Sequence, residues 1–280
     1  MKVKISADST CDLPKALIEK YDIGIMPLYI IRAGESLKDG EEITTPEVFD
    51  YTARTGELCG TAAVTIMDYV NAWTEWKKEY DAIVHVSLSS ELSASYSNAC
   101  IAAQEVGDVW VVDSRNLSTG TGHLVLDAGK MAEKGMDAAD IAKALESLLT
   151  KLDVSFVLDT LVYLRKGGRC SALAALGANL LSLKPCIEVR DGTMDVGKKY
   201  RGKLDKAFLQ YITDRLKDRD DIDTRRIFIT DSGISEEMRA VLKETVLSCQ
   251  PFEQVYFSRS GCVISGHCGP WCMGILYYHK

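Results

Sequence analysis

Short apolar runs alternate with helical stretches along most of this chain. Five of the runs are Val3-Lys4-Ile5-Ser6-Ala7, Ile83-Val84-His85-Val86, Val109-Trp110-Val111-Val112, Phe156-Val157-Leu158 and Arg226-Ile227-Phe228-Ile229. They are rich in β-branched residues and read as buried strands. Each stops at a polar cluster: Asp8-Ser9-Thr10, the serines from Ser87, Asp113-Ser114, Asp159-Thr160 and Thr230-Asp231-Ser232. Between most of them lie stretches of helical character, such as residues 14–20 and 137–145. That order predicts an α/β fold with a mainly parallel sheet. In such sheets ligands collect at the carboxyl ends of strands, where these Asp, Ser and Thr residues fall. The same residue types cap helices, which is the expected role for most of the five clusters.

The second half has a different pattern. Residues 172–181 are almost wholly apolar, which predicts a helix buried on several sides or forming the wall of an apolar cavity. Lys184-Pro185 ends it. Residues 187–196 read as a hairpin around an Asp191-Gly192 turn. Residues 254–278 read as strands around a glycine-rich loop. No fixed-period repeat, low-complexity tract or long linker interrupts the chain. The expectation is an N-terminal α/β domain over 1–160 and a C-terminal mixed α+β domain over 161–280.

The stretch with most chemistry follows the second run: Leu88-Ser89-Ser90-Glu91-Leu92-Ser93-Ala94-Ser95-Tyr96. A helical stripe through Leu92, Tyr96, Ala99 and Ala103 continues from it. A strand end, a run of hydroxyls and a helix start would bring neutral donors and the positive end of a helix dipole to one point. A small anionic head group suits such a place; plain capping by one serine is the simpler alternative.

Composition narrows the partners. The chain has 280 residues, 46% hydrophobic and 26% charged, with a net charge of −7. Acidic and basic residues are mixed and no basic block suggests a nucleic-acid surface. The first residues enter a strand pattern at once, without a signal-peptide core, and no apolar run is long enough to span a bilayer. A cytoplasmic protein with no integral membrane segment is the expectation. Nine cysteines are scattered mostly among apolar neighbours, as expected of a reducing compartment. Cys262, His267, Cys268 and Cys272 cluster near the C-terminus, but three residues separate Cys268 from Cys272 and no Cys-x-x-Cys pair occurs, so no metal is expected there.

Several stretches, in order, carry a resemblance. They are Asp8-Ser9-Thr10-Cys11-Asp12-Leu13-Pro14, residues 89–96, Val112-Asp113-Ser114, residues 158–169, Lys184-Pro185, Tyr200-Arg201-Gly202 and His267-Cys268-Gly269-Pro270. Together they resemble the DegV family of bacterial fatty-acid-binding proteins. The resemblance implies a two-domain DegV-like fold with a long-chain fatty acid such as palmitate between the domains. The carboxylate would be held by Thr61, Ser93 and His267, with Ser9, Ser90 and Leu92 nearby. It also implies presentation of the acid to a separate fatty acid kinase, which makes an acyl phosphate, and no catalysis or cofactor of the chain's own. Two stretches depart from the family pattern. Thr61-Ala62-Ala63-Val64-Thr65 stands where the family often has Thr-Ser-Gln-Pro-Ser, and Ala94-Ser95 stands where Gly-Thr is usual.

Physical chemistry fits that implication. Each buried methylene contributes about 0.8 kcal/mol, so a sixteen-carbon tail gains on the order of 10 kcal/mol before binding costs. An unpartnered carboxylate would cancel much of this. The hydroxyls of Thr61 and Ser93, backbone N–H groups at the 90–93 turn and a histidine could satisfy it without a salt bridge. Neutral donors also suit a ligand that must be phosphorylated and released. His85, within a strand, and His123, at a helix start, are expected to be structural, and His267 without the resemblance could be a loop histidine bonded to backbone. Arg169 and Arg201, beside glycines, could face the ligand mouth or a partner. The rival class is a serine hydrolase acting on acyl esters through Ser93, His267 and an aspartate such as Asp8. Against it, Gly-x-Ser-x-Gly is absent and Ser93 lies inside a serine run. A nucleotide site at Lys166-Gly167-Gly168-Arg169 is the weakest reading, because the motif is not a P-loop.

Overall fold

The computed structural model describes residues 1–172 and 183–280. The apolar helix expected over 172–181 therefore lies, apart from Ala172, outside the described residues.

The first three apolar runs become Val3–Asp8, Ala82–Ser87 and Val109–Asp113. With Gly24–Met26 they form a four-stranded sheet in the order 24–26, 3–8, 82–87, 109–113, parallel throughout. Ala82–Ser87 is buried along its whole length, which is why its sequence runs apolar with little alternation. The fourth and fifth runs become Leu152–Val157 and Ile222–Asp231, and both belong to a different sheet. This six-stranded sheet runs 193–201, 183–190, 152–157, 273–279, 222–231, 255–259. Only its last two strands pair in parallel. A small antiparallel sheet of Glu35–Lys38, Tyr29–Arg32 and Gly60–Ala62 completes the set. The mainly parallel expectation is thus met by the first sheet and not by the second, and the overall class is mixed α/β.

The helix Ser118–Glu133 joins the two large sheets, and its first nine residues are all buried. It touches Val3–Asp8 on one side and Met273–His279 on the other. Two of its glycines permit the approach. A Cβ at Gly120 would come 2.8 Å from the Val154 side chain, and one at Gly122 would come 2.8 Å from the Cys11 carbonyl. His123 lies in this seam: its Nε2 donates to the Leu276 carbonyl at 2.9 Å, and its Nδ1 accepts from Arg226 Nε at 3.0 Å. Burial and the Arg226 charge push its pKa down to about 3, so it is a neutral structural group.

The hairpin has the expected turn. Asp191 and Gly192 have φ of 48° and 84°, as a two-residue turn with both centres left-handed requires. Residues 254–278 need correction. Strands Val255–Arg259 and Met273–His279 are present, but the helix Cys262–Cys268 lies between them in place of a loop. His267 is therefore a helical residue.

Candidate functional site

A cavity of about 760 Å³, part of it open to solvent, lies where the carboxyl ends of the parallel sheet meet the second half of the chain. Leu28, Leu88 and Leu117 line it from segments that follow the strands 24–26, 82–87 and 109–113. Leu164, Met194 and Ile264 face them from the second half. The remainder of the described wall is also mostly apolar, as in a small-molecule site. Four residues bring polar groups to it: Thr61, Ser93, Arg169 and His267.

The first of these groups are paired. Thr61, in the strand Gly60–Ala62, has its Oγ1 3.1 Å from Nε2 of His267. Burial, and then the charge of Arg169, push the His267 pKa down to about 4. The ring is therefore neutral near pH 7 and can donate from one nitrogen while accepting at the other. Its place is tight on the far side: a Cβ at Gly167 would fall 2.2 Å from His267 Nδ1. Gly167 ends the helix Val162–Gly167, which packs on the histidine helix. Gly167, one of the glycine pair 167–168 weighed in the sequence as a nucleotide loop, is thus the close approach that seats His267. That is a functional position sequence reasoning missed, and the Gly-Gly doublet was its signal.

The serine stretch is organised differently from the expectation. The helix begins at Ser95, not Leu92, and its buried face is Ser95, Ala99 and Ala102. The N–H groups at 90–93 are already taken: Ser90 donates to Asp113 Oδ1, Glu91 to Ser89 Oγ, and Leu92 and Ser93 to the Ser89 carbonyl. Backbone donors at this turn are therefore not free for a ligand, which leaves side chains as the polar groups facing the cavity. Ser93 Oγ accepts from Ser95 N at 3.1 Å and is hydrogen-bonded to Ser95 Oγ at 2.9 Å. The first serine anchors the loop: Ser89 Oγ donates to the Gly192 carbonyl at 2.8 Å, and Arg115 donates to the Asp191 carbonyl, tying the stretch to the hairpin turn.

The other expected residues separate into two groups. Leu92 and Arg169 line the cavity, and Ala62 and Ala63 make the wall beside Thr61 apolar. Ser9, Ser90 and Arg201 are not among its described lining residues. The Ser9 hydroxyl donates to Asp39 at 2.8 Å and accepts from Leu28 N, so it fastens the loop carrying Leu28. Ser90 is exposed and accepts from Arg115, and Arg201 is exposed at the end of its strand. Thr61, Arg169 and His267 also line a more open, more polar recess with Tyr163 and Lys166.

Asp8 is far from serving His267. Its carboxylate accepts from Tyr69 OH at 2.5 Å, from Ser87 Oγ and Leu88 N at 2.8 Å, and lies 3.3 Å from His85 Nε2. Burial alone would raise its pKa; His85, Tyr69 and Leu88 outweigh this and hold it low. A Ser93–His267–Asp8 triad is not assembled. All nine cysteines are free thiols. Among the described residues no group of three or more His, Cys, Asp or Glu is placed to hold a metal ion, and no helix is long and apolar enough to cross a membrane.

The whole chain resembles known proteins. The family described as "Uncharacterised protein, DegV family" matches residues 2–280. A fatty acid-binding protein of Thermotoga maritima is 30% identical over 283 residues, covering 98% of this chain and 96% of its own. A Thermus thermophilus DegV family protein, solved in a study of its fatty acid binding, aligns with a TM-score of 0.89 at 31% identity and covers both chains fully. The structure of DegV from Bacillus subtilis, called a fatty acid binding protein, aligns at 0.83 with 26% identity, again over both full chains.

Proposed function

The chain belongs to the DegV family, and from that premise we propose that it is a non-catalytic, cytoplasmic carrier of a long-chain fatty acid. The acid, palmitate being a suitable length, lies in the apolar cavity between an N-terminal part and a C-terminal part divided near residue 160. Its carboxylate is held by Thr61, Ser93 and His267. The observation that carries this reading is the Thr61–His267 pair, 3.1 Å apart, on the wall of a largely apolar cavity that also exposes Ser93. Three neutral donors at one place can satisfy a carboxylate whose chain is buried. The fatty acid binding ascribed to the Thermotoga, Thermus and Bacillus relatives supports it.

Presentation to a fatty acid kinase is the further part of the proposal. It is supported by the open recess that shares Thr61, Arg169 and His267 with the cavity, so that the head group can be reached from outside while the tail stays covered. The hydrolase alternative has less support, because Ser93 is bonded to Ser95 and His267 to Thr61, and Asp8 is spent on Tyr69, Ser87 and Leu88.

Native mass spectrometry of freshly purified protein, with organic extraction of its contents, tests the carrier reading. The expected result is one long-chain fatty acid per chain, with occupancy reduced in Thr61→Ala and Ser93→Ala. Empty protein that also refuses added fatty acid overturns it. Turnover of an acyl ester that disappears in Ser93→Ala would install the hydrolase in its place.

A further inference from the structure

The carrier reading leaves one cluster unused. Cys268 and Cys272 are both buried, and both line one small cavity. The chain between them folds back sharply to achieve this. Gly269 has φ 78°, and Trp271 has φ 61°, a left-handed conformation uncommon for a bulky residue. Ser232 clamps the fold: its N donates to the Cys272 carbonyl at 3.1 Å, its Oγ donates to the Gly269 carbonyl at 2.7 Å, and the same Oγ accepts from Cys272 N at 2.9 Å. The cavity that both cysteines line is largely apolar. Cys268 also lines the acyl cavity and directly follows His267 in the helix Cys262–Cys268.

We propose that Cys268 and Cys272 form a reversible disulfide whose formation is governed by occupancy of the acyl cavity. A peroxide reaching the empty cavity oxidises the Cys268 sulfur to a sulfenic acid, its O–O bond breaking and one water (or alcohol) leaving. The neighbouring Cys272 thiol then attacks that sulfur, forming the S–S bond and releasing a second water. Two thiols and one peroxide thus give one disulfide, and a small dithiol reverses it. The neighbouring Cys268 thiol and burial push the Cys272 thiol up, which keeps Cys272 protonated and leaves Cys268 as the sulfur that meets the peroxide first. A bound acyl chain covers the cavity wall that includes Cys268, so the loaded carrier is protected. Closing the bridge draws the Cys268 side chain toward Cys272 and off the cavity wall, next to the histidine that holds the head group. The protection part rests on the carrier reading; the bridge itself does not.

The test treats delipidated and palmitate-loaded protein with hydrogen peroxide, followed by peptide mapping and palmitate binding. The expected result is a Cys268–Cys272 bridge in delipidated protein, forming at least fivefold more slowly in the loaded form and removed by dithiothreitol. Palmitate affinity should fall at least fivefold in the bridged protein and recover on reduction. Cys272→Ser should instead leave a sulfenic acid at Cys268 that dimedone traps. Oxidation confined to the half-buried Cys59, Cys100 and Cys249, with the 268–272 peptide still reduced, overturns the proposal. So does a bridge that leaves palmitate affinity unchanged. If the bridge forms but the protein takes up no fatty acid, the carrier reading fails, and with it the governing role of the cavity.

Discussion

Thr61 and His267 are 206 residues apart in sequence, yet Oγ1 of one lies 3.1 Å from Nε2 of the other. One is in a three-residue strand and the other near the end of a seven-residue helix, so the pair exists only because the two halves of the chain close on each other. Each group keeps the other satisfied while the site is empty, and each can turn to a carboxylate that enters. Thr61→Ala and His267→Ala should therefore each weaken fatty acid binding by about 10- to 100-fold, the cost of about 1.5–3 kcal/mol for a hydrogen bond to a charged group. Competition against a fluorescent fatty acid measures this. Affinity unchanged in both variants would remove the pair from the head-group site.

His267 should titrate far below an ordinary histidine. Its folded pKa, about 4, is below the unfolded value near 6.5, because burial and then Arg169 oppose the charged ring. The sign follows: the ring contributes stability that is present above pH 6.5 and is lost as pH falls from 6.5 toward 4, where the unfolded chain takes up a proton that the folded one refuses. The His267 ring resonance should show a midpoint near pH 4 in ligand-free protein. Adding a fatty acid should move it upward, since a carboxylate favours the protonated ring. A midpoint near 6.5 that ignores the ligand would contradict both the burial and the site.

Gly167 offers a test that touches no hydrogen-bonding group. A methyl there would fall 2.2 Å from His267 Nδ1, so one of the two must move. Alanine favours a helix over glycine by about 1 kcal/mol, so Gly167→Ala has no propensity reason to harm the helix Val162–Gly167. The expected outcome is at least a tenfold loss of fatty acid affinity with His267 displaced from Thr61 in the variant's structure. Wild-type affinity would show that the ring has room to spare.

These relationships differ in how far hydropathy could reveal them. The strands 3–8 and 82–87 announce themselves because parallel pairing buries both faces and leaves an apolar run ending in Asp or Ser, and the half-buried edge strand 109–113 keeps the same apolar run and Asp ending. The runs at 156 and 226 look the same but pair mainly antiparallel, since burial sets the pattern and pairing direction does not. The helix 262–268 was hidden by its length and by Gly261, Gly266 and Gly269, which read as a loop. The serine run drew attention to Ser93, but Thr61 and His267 were nameable only through the family resemblance, because nothing local links positions so far apart. The 90–93 turn shows the opposite failure. Its backbone N–H groups looked free to bind an anion, but Ser89 and Asp113 had already taken them.

The closure that makes the site depends on a buried charge pair in the seam. Arg226, 6% exposed on the strand Ile222–Asp231, makes a two-pronged contact with Asp127 on the helix Ser118–Glu133, with Nη1 2.8 Å from Oδ1 and Nη2 on Oδ2. The same guanidinium reaches His123 Nδ1 and its carbonyl, and Tyr278 OH donates to Asp127 at 3.1 Å. Asp127→Ala removes the one carboxylate that contacts this arginine among the described residues and leaves its charge buried against neutral acceptors, a change that costs about 3–5 kcal/mol. For a chain of this size the melting temperature should fall on the order of 10 °C. Replacing both partners, Asp127→Leu with Arg226→Met, removes the charge along with its partner and should cost less than the single change. Urea or thermal unfolding of the three proteins decides the point. A single variant within 0.5 kcal/mol of wild type, or a double variant worse than the single, would mean that the seam is held by the packing of Gly120 and Gly122 and not by this pair.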